Sequence, residues 1–120
     1  MSSRPKSTER LLARIAELKQ KILELDLVVA GTLVRRTKVC GKAGCRCARD
    51  PEARHGPYFE WGRIEGGRRV TTTVSPEKAR RLKSALGNQR RLKALLRRWE
   101  RESVRVLDAE IDASRALGAR

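Results

Sequence analysis

All three cysteines and the only histidine of the chain fall within residues 40–55. Cys40, Cys45, Cys47 and His55 are spaced C-x4-C-x-C-x7-H. Thiolates and a neutral imidazole are the ligands of structural zinc, and three Cys with one His complete a tetrahedron. The stretch "CGKAGC" is a Gly-punctuated turn able to fold two thiolates onto one ion. Lys42 and Arg46 stand beside the thiols and favour their ionised form. The expectation is one structural Zn2+ per chain on these four residues. Four protein ligands leave no open position, so no metal chemistry is expected. The alternative is three reduced cysteines beside a surface histidine.

Other chemistry finds little support, and the chain reads as a non-enzyme. A thiol nucleophile at Cys45 or Cys47 with His55 has no evident third group to orient the base. The H-x-E and P-C-x-x-C pair of zinc deaminases is absent, as is a phosphate-cradling G-x-x-x-x-G-K-[ST] loop.

The 120 residues suffice for one small domain. The large rings are Tyr58, Phe59, Trp61 and Trp99. A core this poor in rings needs a staple, a helix seam or a partner chain. The formal net charge of +15 calls for a polyanionic partner, nucleic acid first and anionic membrane a distant second. No apolar run approaches 18 residues, and "MSSRPKSTER" has no apolar signal stretch. The expected location is therefore cytoplasmic, where thiols stay reduced.

The elements that must position the cluster follow from periodicity. Residues 1–8 are polar and expected to fray. From Thr8 to Ala30, Leu11, Ile15, Leu18, Ile22, Leu25 and Val29 alternate steps of four and three, a heptad seam. It suits a parallel coiled-coil dimer, or an amphipathic helix packed on the chain's own C-terminal helix. Gly31 stops it.

"TLVRRTKV" reads as a strand, and "YFEWGRIEGGRRVTTTV" as a hairpin about Gly66-Gly67. Pairing across that turn sets Phe59, Trp61, Val70 and Val74 on a core face. Glu60, Ile64, Arg69, Thr71 and Thr73 take the other face. Ser75-Pro76-Glu77 starts a helix. That helix kinks, breaks or continues at Gly87-Asn88, with an apolar stripe of Leu92, Leu96, Trp99, Val106, Ala113 and Leu117. The fold class is α+β: an N-terminal helix (1–30), an antiparallel sheet of about three strands stapled by a zinc loop (31–75), and a long basic C-terminal helix (76–120) packing as a coiled-coil-like bundle.

Joined together, "GTLVRRTKVCGKAGCRC" and "HGPYFEWGRIEGGRRVTTTVSPEKARRL" resemble an uncharacterised prokaryotic domain family, a domain of unknown function. Its members carry a CGK-x2-CxC cluster, an HGPY box, a hairpin and a long basic helix. The resemblance covers roughly residues 31–100. It implies metal ligands at Cys40, Cys45, Cys47 and His55, and no activity. At the level of fold alone, strands followed by a helix look like the arm-binding domains of tyrosine recombinases and plant AP2 domains, which lay a sheet in the major groove.

Two functions are therefore expected, and they are compatible. One is a nucleic-acid-binding accessory protein for DNA or RNA. Lys78, Arg80, Arg81, Lys83, Arg90, Arg91, Lys93, Arg97 and Arg98 would contact phosphates, with Lys42 and Arg46 on the loop. Arg35, Arg36, Arg69, Thr71 and Thr73 would contact a groove if the sheet docks. The other is an assembly or adaptor subunit, a homo-oligomer or a chain docked on a larger protein through its heptad helices.

Overall fold

The computed structural model describes residues 6–118. The elements are α1 (Lys6–Leu23), β1 (Thr32–Lys38), two single-turn 3-10 helices (Arg46–Ala48 and Pro51–Ala53), β2 (His55–Glu65), β3 (Arg68–Val74) and α2 (Pro76–Gly118). This is the α+β arrangement expected. Two compact units divide the chain: residues 27–89, and, among the described residues, 6–26 with 90–118.

In the first unit the strands form one antiparallel sheet in the order β1-β2-β3. Gly66 and Gly67 turn the hairpin at φ values of 55° and 78°, the left-handed pair that a two-residue type I′ turn demands. The register is the expected one: Phe59 opposite Val74, Trp61 opposite Thr72, Arg63 opposite Val70, Ile64 opposite Arg69. Side chains alternate along a strand. Phe59, Trp61 and Val74, joined by Leu33 of β1, thus pack with Ala79 and Leu82 of α2 and with Val29. The Trp61 indole donates to the Ala30 carbonyl at 3.0 Å, so its one polar atom is satisfied. The opposite face is bare, with Val34, Arg36, Ile64, Arg69, Thr71 and Thr73 exposed.

The start of α2 is capped as its sequence demands: Ser75 Oγ accepts the Lys78 N–H at 3.1 Å. The helix runs through Gly87-Asn88 without a break. One helical Gly costs only about 1 kcal/mol relative to Ala. The Asn88 amide, meanwhile, is drawn off the helix, donating to the Leu27 carbonyl at 2.8 Å.

That contact also explains an early end to α1. The heptad pattern carries a helix to Ala30, but α1 stops at Leu23. The Leu25 N–H closes on the Ile22 carbonyl, and the Val29 N–H goes to the Ala85 carbonyl of α2. The Leu27 carbonyl and the Val29 N–H thus find their partners on α2, and the periodic residues Leu25 and Val29 are half-buried without being helical.

In the second unit α1 is paired with residues 90–118. Ile15 and Leu18 of the seam are buried, and Leu11 and Ile22 half-buried. The Lys19 ammonium lies 5.3 Å from the centre of the Trp99 ring. The seam is thus covered within the chain. Of the frayed stretch expected at 1–8, residues 1–5 lie outside the described residues, while Thr8 is fully buried. The inward row of α2 is Leu92, Leu95, Trp99, Val106 and Ala113. Leu96 and Leu117, expected on that row, are exposed instead. Leu95 and Leu96 offer two phases of the same heptad, and the 92–95–99–106 phase is the one buried.

Candidate metal centre

β1 and β2 are neighbours, and their paired ends define the mouth of the cysteine loop. Lys38 stands opposite His55, with a bulge between Arg36 and Lys38. His55 is the first residue of β2, and Cys40 leaves β1 two residues beyond Lys38. The histidine and the first cysteine are thus brought together by strand pairing. Gly56 makes the close approach workable. Its φ is 118°, and a Cβ there would come within 2.9 Å of the Arg36 carbonyl oxygen.

The other two cysteines are placed by local turns. The Cys45 N–H bonds the Lys42 carbonyl at 3.0 Å, closing the turn after "CGK". Cys45 is extended and precedes the 3-10 turn that holds the buried Cys47. The intervening "RDPEAR" folds aside: Asp50 caps the turn Pro51–Ala53 by accepting the Glu52 N–H at 3.0 Å. This returns the chain to His55 without pulling it from the cluster.

The result is a Cys3His group. Its four ligand atoms all lie within 4.8 Å of one another. Cys45 Sγ is 3.3 Å from His55 Nε2, and Cys47 Sγ is 3.5 Å from Cys40 Sγ. The Cys40 N–H also reaches Cys47 Sγ at 3.4 Å, a backbone donor aimed at a sulfur. The Cys45 thiol is held below its ordinary pKa, first by the backbone N–H of Cys47, then by hydrogen bonds from the Cys47 and Cys40 thiols, against some desolvation. Cys47 moves the other way. The Cys40 N–H pulls it down, but burial and the two neighbouring thiols outweigh that. Three sulfurs so close cannot all ionise alone, whereas a shared cation removes the repulsion.

The basic candidates are placed unevenly. Arg36, Arg69 and Thr71 share the bare sheet face, where they help line a shallow cavity of about 120 Å3 with Thr32, Val34, Glu60 and Gly62. Arg35 does not join them, since it pairs opposite Phe59 on the other face. Arg36 is tied to Glu60 at 3.4 Å and Arg46 to Asp50 at 3.1 Å, so neither is a free cation. Lys42 is exposed on the loop, and all nine of Lys78, Arg80, Arg81, Lys83, Arg90, Arg91, Lys93, Arg97 and Arg98 are exposed along α2. Sequence reasoning missed Lys38, which bonds Glu60 at 2.8 Å and lies 5.5 Å from the Tyr58 ring centre. Strand alternation is the signal that could have found it, since it sets Lys38 on the face of Val34, Arg36 and Glu60.

Fold and site together define an α+β domain with a Cys3His group, within metal-binding distance, at the mouth of an antiparallel sheet. The chain belongs to the family described as Domain of unknown function (DUF6788), whose model matches residues 8–84. That span takes in α1, the sheet, the Cys3His group and the first turns of α2. No curated protein and no solved structure matches the chain. No helix among the described residues is long and apolar enough to cross a membrane.

Proposed function

We propose that this protein is a small, non-catalytic accessory protein that binds nucleic acid, its sheet stapled by zinc. Zinc suits the donor set. At bond lengths of about 2.3 Å to sulfur and about 2.0 Å to nitrogen, a tetrahedral zinc sets its ligand atoms roughly 3.5–3.8 Å apart. The Cys45–His55 and Cys40–Cys47 separations of 3.3 and 3.5 Å need only a small expansion to reach that. Cys40, Cys45, Cys47 and His55 would fill the tetrahedron and leave no position for water or substrate, which is the pattern of a structural ion. Zinc with three thiolates carries a net charge near −1, which the cations Lys42, Arg49 and Arg54 of the same loop would offset.

The observation that carries nucleic-acid binding is the state of the α2 cations. Nine Lys and Arg side chains from Lys78 to Arg98 are exposed, and none has an acidic partner among the described residues. A solvated helix face ordinarily interleaves both signs. Uncompensated charge of this density is the footprint of phosphate contacts, which supply affinity without sequence information. The bare sheet face adds Arg69 and Thr71.

Duplex DNA, duplex RNA and single strands, titrated at rising salt, test the reading. A surface neutralising about six phosphates loses roughly 10³-fold in affinity between about 50 and 200 mM salt. Changing Arg80, Arg81, Arg90 and Arg91 to Gln should flatten that slope and leave the fold intact. Changing Arg69 and Thr71 should relax sequence preference more than affinity. Absence of binding at the low-salt end rejects the reading and leaves an assembly subunit as the better account.

A further inference from the structure

The seam of α1 is spent inside the chain, yet the outer side of α2 carries a second apolar row. Leu96, Val104, Leu107 and Ile111 are 40%, 54%, 59% and 52% exposed. At 3.6 residues per turn these four fall within roughly 80° of one another along about 22 Å of helix. A groove of about 510 Å3, lined by Arg97, Glu100, Arg101, Val104 and Arg105, runs along the same side. All of these residues lie beyond the 8–84 span that the family's model matches.

The charges flanking the row say what covers it. Arg97, Arg101, Asp108 and Asp112 share one edge of the row, within roughly 60° of arc. None of the four has an ion-pair partner among the described residues. Between residues 97 and 112 the edge is basic in its N-terminal half and acidic in its C-terminal half, and Arg115, on the same edge, lies beyond that stretch. A parallel copy, related by an axis along the helices, would set this edge against the other edge of the partner's row, that of Ser103 and Glu110, and bring Asp108 and Asp112 beside an acid. An antiparallel copy, related by a two-fold axis, sets Arg97 against Asp112 and Arg101 against Asp108. Both pairs share one midpoint, beside residue 104. The same register lays Val104 by the axis and brings Leu96 to Ile111 of the second copy. Charge and apolar matching thus select one arrangement, and a patch matching itself makes a closed, isologous dimer.

We infer that the protein self-associates as an antiparallel dimer through the outer face of α2, with a second copy of this chain as the partner. Glu100 is the one acid within the row, between Leu96 and Val104. Its charge costs desolvation in a buried seam, so the dimer is weak and reversible. The inference does not rest on nucleic-acid binding.

Sedimentation equilibrium of the full chain, freed of nucleic acid, tests it over concentrations from about 1 μM to about 500 μM, the range in which a small interface populates both states. The weight-average mass should rise from 13.6 kDa toward twice that value. Leu107→Lys with Ile111→Lys should hold the protein monomeric with its melting temperature unchanged, because both side chains are exposed in the monomer. Arg97→Glu should weaken the dimer about tenfold, and Asp112→Arg on the same chain should restore it. Glu100→Leu should tighten it about tenfold by removing the seam charge. A monomer throughout the range, a dimer formed only when nucleic acid is added, or a dimer indifferent to Leu107→Lys with Ile111→Lys overturns the inference.

Discussion

Residues 27–89 and the pairing of α1 with residues 90–118 hold themselves together by different means. The sheet unit has a small core, Val74, Ala79 and Leu82 with partly buried neighbours, and relies on special residues at special places. These are the Cys3His group at one end of the sheet, Gly66-Gly67 at the other, and Gly56 beside the histidine. Among its described residues the helical unit has no such fixtures. It buries Ile15 and Leu18 of α1 and Leu95 and Val106 of α2, and any apolar residue of similar volume would serve at each place. A unit built on fixtures fails abruptly when one is removed. One built on periodicity degrades by increments. Each unit carries one tryptophan, Trp61 in the sheet unit and Trp99 in the helical unit, so single-tryptophan variants report the two separately.

The largest expected effect separates the units most sharply. Zinc binding in small sites is worth of order 10 kcal/mol of folding free energy. Cys45→Ser, or a strong chelator, should therefore release the ion and collapse the Trp61 signal. The Trp99 signal and much of the helical circular dichroism should persist. Elemental analysis should find one zinc per chain before treatment. Metal-free protein with an unaltered Trp61 environment would show that the sheet stands without a staple.

The next effect tests the helical unit. Leu95→Ala removes a buried side chain and should cost about 2–4 kcal/mol in denaturant unfolding. Leu96→Ala, one residue on, should cost well under about 1 kcal/mol in dilute protein, since the side chain is exposed in the monomer. Equal losses at the two positions would mean that the helix buries both phases of its heptad.

Smaller still is the junction of strand and helix in the sheet unit. Ser75→Ala removes the cap on α2 and should cost about 1 kcal/mol, with the Trp61 midpoint moving and the Trp99 midpoint moving less. A loss as large as that of Leu95→Ala would mean that Ser75 does more than cap.

The smallest effect is a pH dependence. Glu60 is held below the usual carboxylate range, first by the hydrogen bond from Lys38, against partial desolvation, and then by the charges of Lys38 and Arg36. A folded-state pKa below the unfolded one gives stability that is complete above the ordinary carboxylate pKa. It is lost as pH falls through the lowered value. Melting temperature followed from about pH 6 to about pH 3 should fall less steeply for Glu60→Gln than for the wild type, with metal content tracked in both. Parallel curves would assign acid sensitivity to the metal ligands alone.

The two units also differ in how well they can be read from the chain. The hairpin register is legible to the residue, because Gly66-Gly67 admits one turn and strand alternation then assigns every face. The Cys3His group is legible as well, since Cys40, Cys45, Cys47 and His55 are the only cysteines and histidine of the chain and fall in one short stretch. The turn at Ser75-Pro76 follows from capping chemistry alone. All of these are local: the information lies within a few residues of the feature.

Tertiary structure decided what local rules leave degenerate. A heptad pattern does not distinguish Leu95 from Leu96 until a partner helix chooses a side, and it carries α1 past Leu23 until Ala85 and Asn88 of α2 compete for the backbone of Leu27 and Val29. Arg35 and Arg36 are alike in sequence, yet pleating sends them to opposite faces. Short-range backbone preferences are written residue by residue, whereas a partner's choice among near-equal faces is a difference of small packing energies that exists only once both surfaces are in place.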